Sequence, residues 1–277
     1  MKKSNSDIDR RQFLKNGAFA VAALGAVGAG VNYLKKLNKE NVKTLLRPPG
    51  AINEDELIYA CIKCGLCVQI CPIEAVKLAD IKDGLSYGTP YIDPLMQACD
   101  FSCDAMQCVE TCPTAALDFL PFKKAGEDAL TEYQKANPDP GADYNPFIVQ
   151  SQAMKAETKM GLAVINTGTC LAVKGEGFKG VPRESDFKGI YRSPNPKRQE
   201  RKASLVNDHQ FDREICDLCV TECPIGESAI ILEEKTGTNG NKQWQPIVLD
   251  ACTGCGVCVM ICPSTPGSIE IDKLEMS

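Results

Sequence analysis

The sequence predicts an α+β chain of short strands and short helices whose loops wrap inorganic clusters. Three observations carry that prediction. Residues 61–72 read Cys-Ile-Lys-Cys-Gly-Leu-Cys-Val-Gln-Ile-Cys-Pro, placing Cys61, Cys64, Cys67 and Cys71 at C-x2-C-x2-C-x3-C-P. The same pattern returns at Cys252, Cys255, Cys258, Cys262 and Pro263. Two broken copies lie between them. Three thiolates on one tight loop can take three corners of an iron–sulfur cubane, while the fourth normally points at a different cluster.

The first broken copy is Cys99, Cys103, Cys108 and Cys112, followed by Pro113. The second is Cys216, Cys219 and Cys223, followed by Pro224, and it lacks a first cysteine locally. Cys170, 46 positions upstream of Cys216, supplies the missing ligand and is the only cysteine left. All 16 cysteines are then used, matching four [4Fe–4S] clusters with none spare. Disulfides are the usual reading of a cysteine-rich exported chain, but disulfide scaffolds rarely repeat this spacing. Zinc sites pair separated two-ligand knuckles, and three cysteines in seven residues fit them poorly. The single histidine, His209, adds little.

A length of 277 residues allows one or two domains. Cluster binding supplies folding energy, so a modest apolar core suffices. The formal net charge is −5. Residues 1–33 carry five basic and two acidic side chains, leaving −8 on the remainder. An acidic surface argues against nucleic acid. Gly-rich phosphate loops are absent, so no independent active site and no self-sufficient dehydrogenase is expected; an electron-transfer component of a quinol dehydrogenase fits.

Asp9-Arg10-Arg11-Gln12-Phe13-Leu14-Lys15 looks like a twin-arginine export signal, and the apolar stretch Gly17–Val31 follows it. That stretch is short and rich in Ala and Gly, so it reads as an address or an uncleaved anchor rather than a firm membrane span. A twin-arginine substrate is exported folded, so clusters can be inserted in the reducing cytoplasm first. Residues 1–33 are thus a signal, 34–53 a polar lead-in ending at Arg47-Pro48-Pro49-Gly50, and 54–273 the cluster-binding domain.

Along that domain, Pro72 suits the first position of a helix leaving the first site, so 73–79 is expected as a short helix and 113–120 as another. Residues 85–92 are expected to form a hairpin around Gly88-Thr89-Pro90. Residues 121–147, with Pro121, Pro138, Pro140 and Pro146, read as surface connection. Strands are expected at 161–166, leading to Cys170, and at 245–251, leading to the last loop. Ile269-Glu270-Ile271 closes the fold. The insertion 175–212 separates Cys170 from its partners. It reads either as a solvated excursion or, through Arg192, Lys197, Arg198, Arg201 and Lys202, as a basic docking loop on an acidic protein. The resulting picture is two ferredoxin-like units.

Several residues together resemble the NapG/MauM ferredoxin-type proteins. They are Arg10-Arg11, the four cysteine groups, Lys159-Met160-Gly161, Cys170-Leu171-Ala172, Ile215-Cys216-Asp217-Leu218-Cys219 and Asp250-Ala251-Cys252-Thr253-Gly254-Cys255-Gly256. The resemblance covers most of residues 9–273; the chain departs from it at 175–212, which is longer than the family's usual link. It implies a membrane-associated periplasmic electron carrier that works with a polytopic iron–sulfur partner like NapH. Together they are expected to oxidise quinol and pass electrons to a periplasmic reductase or its cytochrome, nitrate reductase above all. MauM-like relatives serve methylamine oxidation instead. Other readings are the electron-transfer subunit of another molybdenum oxidoreductase, and an assembly factor using its clusters structurally.

The fourth cysteine of each group can cross sequentially or in a nested way. The linkers of 27 and 28 residues do not decide. Nesting pairs the two regular groups with each other and the two irregular ones likewise, as in related four-cluster subunits, and is the expectation. It gives sites of Cys61, Cys64, Cys67, Cys262; Cys252, Cys255, Cys258, Cys71; Cys99, Cys103, Cys108, Cys223; and Cys170, Cys216, Cys219, Cys112. The halves would then be 54–93 with 240–273, and 94–235.

Overall fold

The structure is a computed structural model describing residues 45–139, 141, 144–194, 202–236 and 242–273. The twin-arginine motif, the apolar stretch behind it and most of the lead-in lie outside the described residues, as do Lys197, Arg198 and Arg201.

The domain is built from short elements around the cysteine loops. Four one-turn helices share one pattern: α2 (Leu66–Gln69), α3 (Gln107–Glu110), α7 (Leu218–Thr221) and α8 (Val257–Met260). Each carries Cys-Val at its second and third positions, and each stops just before a Cys-Pro. The prolines therefore follow the helices instead of opening them. After Pro72 the chain makes a turn, with Glu74 at φ 55°, and enters strand β1 (Val76–Leu78). After Pro113 it turns again with Ala115 at φ 53°, and Leu117 bridges Ala51. The helices expected at 73–79 and 113–120 are absent, because a left-handed residue two positions after each proline breaks the helical path.

Two hairpins return the chain between cysteine groups. β1 pairs antiparallel with β2 (Pro90–Ile92), Lys77 opposite Tyr91, across a 3-10 segment at Ile81–Ser86. β8 (Ile230–Thr236) pairs antiparallel with β9 (Lys242–Val248), Glu233 opposite Gln245. A third antiparallel pair joins β3 (Gly161–Ile165) to β10 (Ile269–Lys273), so the expected closing strand lies against the strand that leads to Cys170.

Residues 121–147 are not a surface connection. Helices α4 (Leu120–Ala136) and α5 (Pro146–Glu157) pack as a hairpin. Pro121 and Pro146 stand at their N-terminal ends, where a missing N–H costs nothing and the fixed φ suits the helix. Asn145 caps α5 by accepting from the Phe147 N–H at 3.0 Å. Gly126 lets the helices approach, since a Cβ there would meet Met154 Cε at 3.0 Å. Tyr133 and Tyr144 stack with centroids 5.1 Å apart.

The end of the lead-in is tied into the core by a buried guanidinium. Arg47 Nε donates to Glu54 Oε2 at 2.7 Å in helix α1 (Glu54–Ala60), and Arg47 Nη1 donates to Thr89 Oγ1 at 2.9 Å and to the Pro90 carbonyl at 2.8 Å. Ser86 Oγ donates to Glu54 Oε1 at 3.0 Å. Burial alone would raise the Glu54 pKa, but the Arg47 hydrogen bonds and charge outweigh it and hold the carboxyl below its usual range. A depressed folded pKa gives stability that is present above the ordinary carboxylate range and lost as pH falls through the folded value. Arg47→Ala is expected to cost about 2–3 kcal/mol, read by denaturant titration of the anaerobic protein, because it strands Glu54, Thr89 and the Pro90 carbonyl together. A loss below about 0.5 kcal/mol would show that water replaces the guanidinium freely.

Candidate functional site

None of the sixteen cysteines is paired in a disulfide. They gather into four sets of four. Cys61, Cys64, Cys67 and Cys112 line one small cavity. Burial, then the neighbouring Cys61, Cys64 and Cys112, push the Cys67 pKa up to about 11. Cys99, Cys103 and Cys108 form the second set with Cys71: burial and then Cys103 and Cys71 push Cys108 up, and Cys71 likewise acts on Cys103. Cys170, Cys216, Cys219 and Cys262 are the third. Burial dominates the rise of Cys216 to about 11, and Cys262 and Cys170 add to it. Cys252, Cys255 and Cys258 meet Cys223 around another cavity, which Cys219 of the third set also lines. There burial and the Cys223 charge lift Cys255 to about 12.

This arrangement overturns the nested pairing. Cys112, not Cys262, joins the first group; Cys71 joins the second; Cys223 joins the fourth; Cys262 joins Cys170, Cys216 and Cys219. The halves 54–93 with 240–273, and 94–235, fall with it. The cause is the hairpins. β1 and β2 lie between Cys71 and Cys99, and β8 and β9 between Cys223 and Cys252. Each antiparallel pair brings the chain back beside the loop it left, so consecutive groups become partners. Cys170 does meet Cys216 and Cys219, as its assignment to the third group requires.

The loops that present the thiols depend on left-handed residues. Gly65, Met106 and Gly256 cap α2, α3 and α8 at φ 75°, 54° and 84°. In the irregular second group, non-glycine Phe101 and Asp104 also sit at φ 60°, which carries a steric cost. Turns after the Cys-Pro pairs aim amides back at sulfur: the Ala75 N–H donates to Cys71 Sγ at 3.3 Å and the Leu117 N–H to Cys112 Sγ at 3.5 Å. At Cys112 burial raises the pKa, yet amides of Leu117, Thr114 and Ala116 and the Thr114 hydroxyl outweigh it and bring the thiol below its ordinary value.

Four gathered thiols repel one another once ionised, and a metal centre among them would offset that repulsion. Among the described residues no three His, Cys, Asp or Glu side chains converge on a single-ion site. Four thiols around a wider space suit a cubane, where each thiolate takes one iron. The fit is supported by the amides on sulfur, which stabilise thiolate ligands and tune cluster potential.

Two sequence segments noted separately turn out to touch. The Met160 N–H donates to the Thr253 carbonyl at 2.9 Å, and Lys159 Nζ donates to the Cys252 carbonyl at 3.3 Å and to the Asp250 carbonyl. Lys159-Met160-Gly161 is thus the support of the fourth cysteine loop.

The 4Fe-4S dicluster domain model matches residues 60–116 and again residues 214–265. The first match holds the first two cysteine groups; the second holds Cys216, Cys219 and Cys223 with the fourth group, while Cys170 lies outside it. NapG of Escherichia coli is 29% identical over 272 residues, covering 97% of this chain and 87% of its own length. MauM of Methylorubrum extorquens, a methylamine utilization ferredoxin-type protein, is 28% identical over 270 residues, covering 96% and 90%. The chain is homologous to the NapG and MauM ferredoxin-type proteins. It is a ferredoxin-type iron–sulfur electron-transfer protein related to both. NapG of Haemophilus influenzae is 28% identical over the whole of this chain. No solved structure matches it.

Proposed function

We propose that this chain is a periplasmic carrier of four [4Fe–4S] clusters, exported folded by the twin-arginine route and associated with the membrane. In this reading it takes electrons from a polytopic, quinol-oxidising iron–sulfur partner like NapH and passes them towards a periplasmic reductase, nitrate reductase in the first instance. The observation that carries it is that the four thiol sets adjoin one another in the succession first, second, fourth, third. The first and second sets adjoin through Cys67 and Cys108. The second and fourth meet where the Cys99 N–H donates to the Cys255 carbonyl at 3.1 Å. The fourth and third adjoin through Cys258 and Cys219. When bound, the clusters supply one-electron redox chemistry; the chain's own part is to hold the thiolates, aim amides at sulfur and exclude water.

The first set opens to the surface. Cys64 is exposed, and Tyr59, Ile62, Leu66 and Ile70 around it are exposed apolar side chains. Such a collar suits a protein partner. Among the described residues no helix is long and apolar enough to cross a membrane, so the partner or the N-terminal segment provides the attachment. A MauM-type role in methylamine oxidation is the second reading, favoured by nearly equal similarity to MauM.

The test is anaerobic purification from membranes, with identification of what co-purifies and a redox titration followed by EPR. A polytopic iron–sulfur protein, and clusters that titrate within the quinone range, are expected. Co-purification with a large molybdenum subunit alone would favour a place inside that oxidoreductase. Clusters that stay silent through the quinone range would sink the electron-transfer role.

A further inference from the structure

In its described part the insertion 175–212 is neither a wholly solvated excursion nor a free basic loop. β4 (Phe178–Gly180) pairs with β7 (Phe211–Arg213), and β5 (Ile190–Tyr191) with β6 (Ser204–Leu205). Tyr191, Val206 and Phe211 are buried. The one histidine, His209, packs its ring 4.9 Å from that of Tyr191 and meets Ser204 Oγ at 2.9 Å.

Three consecutive residues at the end of β5 reach in alternating directions, as extended backbone dictates. Arg192 turns to the second cysteine group. Its Nη1 and Nη2 donate to the two oxygens of Asp104 at 3.0 and 2.6 Å, Nη2 donates to the Phe101 carbonyl at 2.8 Å, and its N–H donates to Asp100. Tyr191 and Ser193 turn to the third group. Tyr191 Oη donates to Glu222 Oε2 at 3.0 Å, and Ser193 Oγ donates to the same oxygen. Asp100 and Asp104 flank Cys103, and Glu222 directly precedes Cys223. The Gln97 side chain locks the approach, accepting from the Ile190 N–H at 2.9 Å and donating to the Ile190 carbonyl at 2.7 Å.

We propose that Tyr191-Arg192-Ser193 is a brace fixing the second cysteine group relative to the third, and that Arg192 is a positioning residue setting the electrostatic environment of the cluster at Cys71, Cys99, Cys103 and Cys108. The inference rests on the iron–sulfur reading above. The irregular second group needs such support. Its loop holds Phe101, Asp104 and Met106 in left-handed conformations without glycine, and the Arg192 fork binds both Phe101 and Asp104. Lys155 Nζ also reaches Asp104 at 3.0 Å. The charged groups facing the loop are therefore Arg192 and Lys155 against Asp100 and Asp104. Reduction adds a negative charge to a cluster, so a nearby cation raises its potential and a nearby anion lowers it.

The experiment compares Arg192→Gln, Arg192→Lys and Asp104→Asn with the wild-type protein, purified anaerobically. Iron content, EPR and redox potential are read for each. Arg192→Gln is expected to move one titrating component to lower potential, Asp104→Asn to move that same component higher, and Arg192→Lys to recover most of the wild-type value. The moving component should be the one altered by Cys103→Ser. Opposite shifts separate an electrostatic role from a merely structural one, which would move both variants the same way or lose iron in both. Full iron with all potentials unchanged in Arg192→Gln and Asp104→Asn would overturn the proposal while leaving the iron–sulfur reading intact. A wild-type protein without iron–sulfur signals would remove that reading itself.

Discussion

A variant with both Cys170 and Cys262 replaced by Ala is expected, on the four-cluster proposal, to keep about twelve of sixteen iron atoms, because that proposal puts both thiols on one cubane of four irons. Cys170→Ala combined with Cys112→Ala should instead keep about eight, since those thiols serve different cubanes. The nested grouping reverses both numbers: there Cys170 and Cys112 share a site, while Cys262 belongs with Cys61. Iron analysis and EPR of the two double variants, beside the three single ones, decide between them. Each single variant should lose about four irons or leave a [3Fe–4S] signal. Cys170→Ala with unchanged iron and EPR would show that Cys170 is an ordinary core thiol. The thermal midpoint should fall along with the iron, because cluster binding energy is folding energy.

What was legible follows from the range over which each feature is determined. C-x2-C-x2-C-x3-C-P encodes a single loop, so which thiols gather locally could be read from spacing, and the approach of Cys170 to Cys216 and Cys219 from its being the one cysteine left over. A strand at 161–166 was legible through a short apolar run, and β3 forms there; Ile269-Glu270-Ile271 was legible only as the closing segment, and the strand it begins pairs with β3. The partner of each fourth cysteine was not legible, because two hairpins set it. Regular groups resemble one another in sequence for local reasons, and that resemblance says nothing about which loop lies beside which. The nearly equal linkers of 27 and 28 residues were the available signal: each encloses one antiparallel pair that brings the chain back on itself. Pro121 and Pro146 misled because proline reads equally as a breaker and as a helix opener. Arg192 read as one of a basic cluster. Only the long-range approach of β5 to the second group turns it inwards against Asp100 and Asp104.

Gly254→Ala is expected to damage the fourth thiol set far more than Gly65→Ala damages the first. Gly65 and Gly254 have φ of 75° and 70°, so an alanine at either meets the same left-handed penalty, about 1–2 kcal/mol. Their surroundings differ. A Cβ on Gly65 meets nothing within 4 Å. A Cβ on Gly254 would lie 2.6 Å from the Gly161 Cα and carbonyl carbon, inside any possible contact. Gly161 has little room to retreat, since a Cβ placed on it would lie 2.5 Å from the Asp272 carbonyl oxygen on the neighbouring strand β10. Backbone therefore faces backbone, and no side chain can swing aside. The displaced strand is β3, and Met160, just before it, holds the Thr253 carbonyl. Pushing β3 away strains the Met160–Thr253 bond, the β3–β10 ladder and the loop carrying Cys252 and Cys255. The expected cost is about 3 kcal/mol or more for Gly254→Ala against about 1 kcal/mol for Gly65→Ala. Thermal denaturation of the two anaerobic variants reads the difference, and iron analysis should show that Gly254→Ala loses iron first. Equal midpoints and full iron in both would mean that β3 and the fourth loop do not press on each other as this geometry requires.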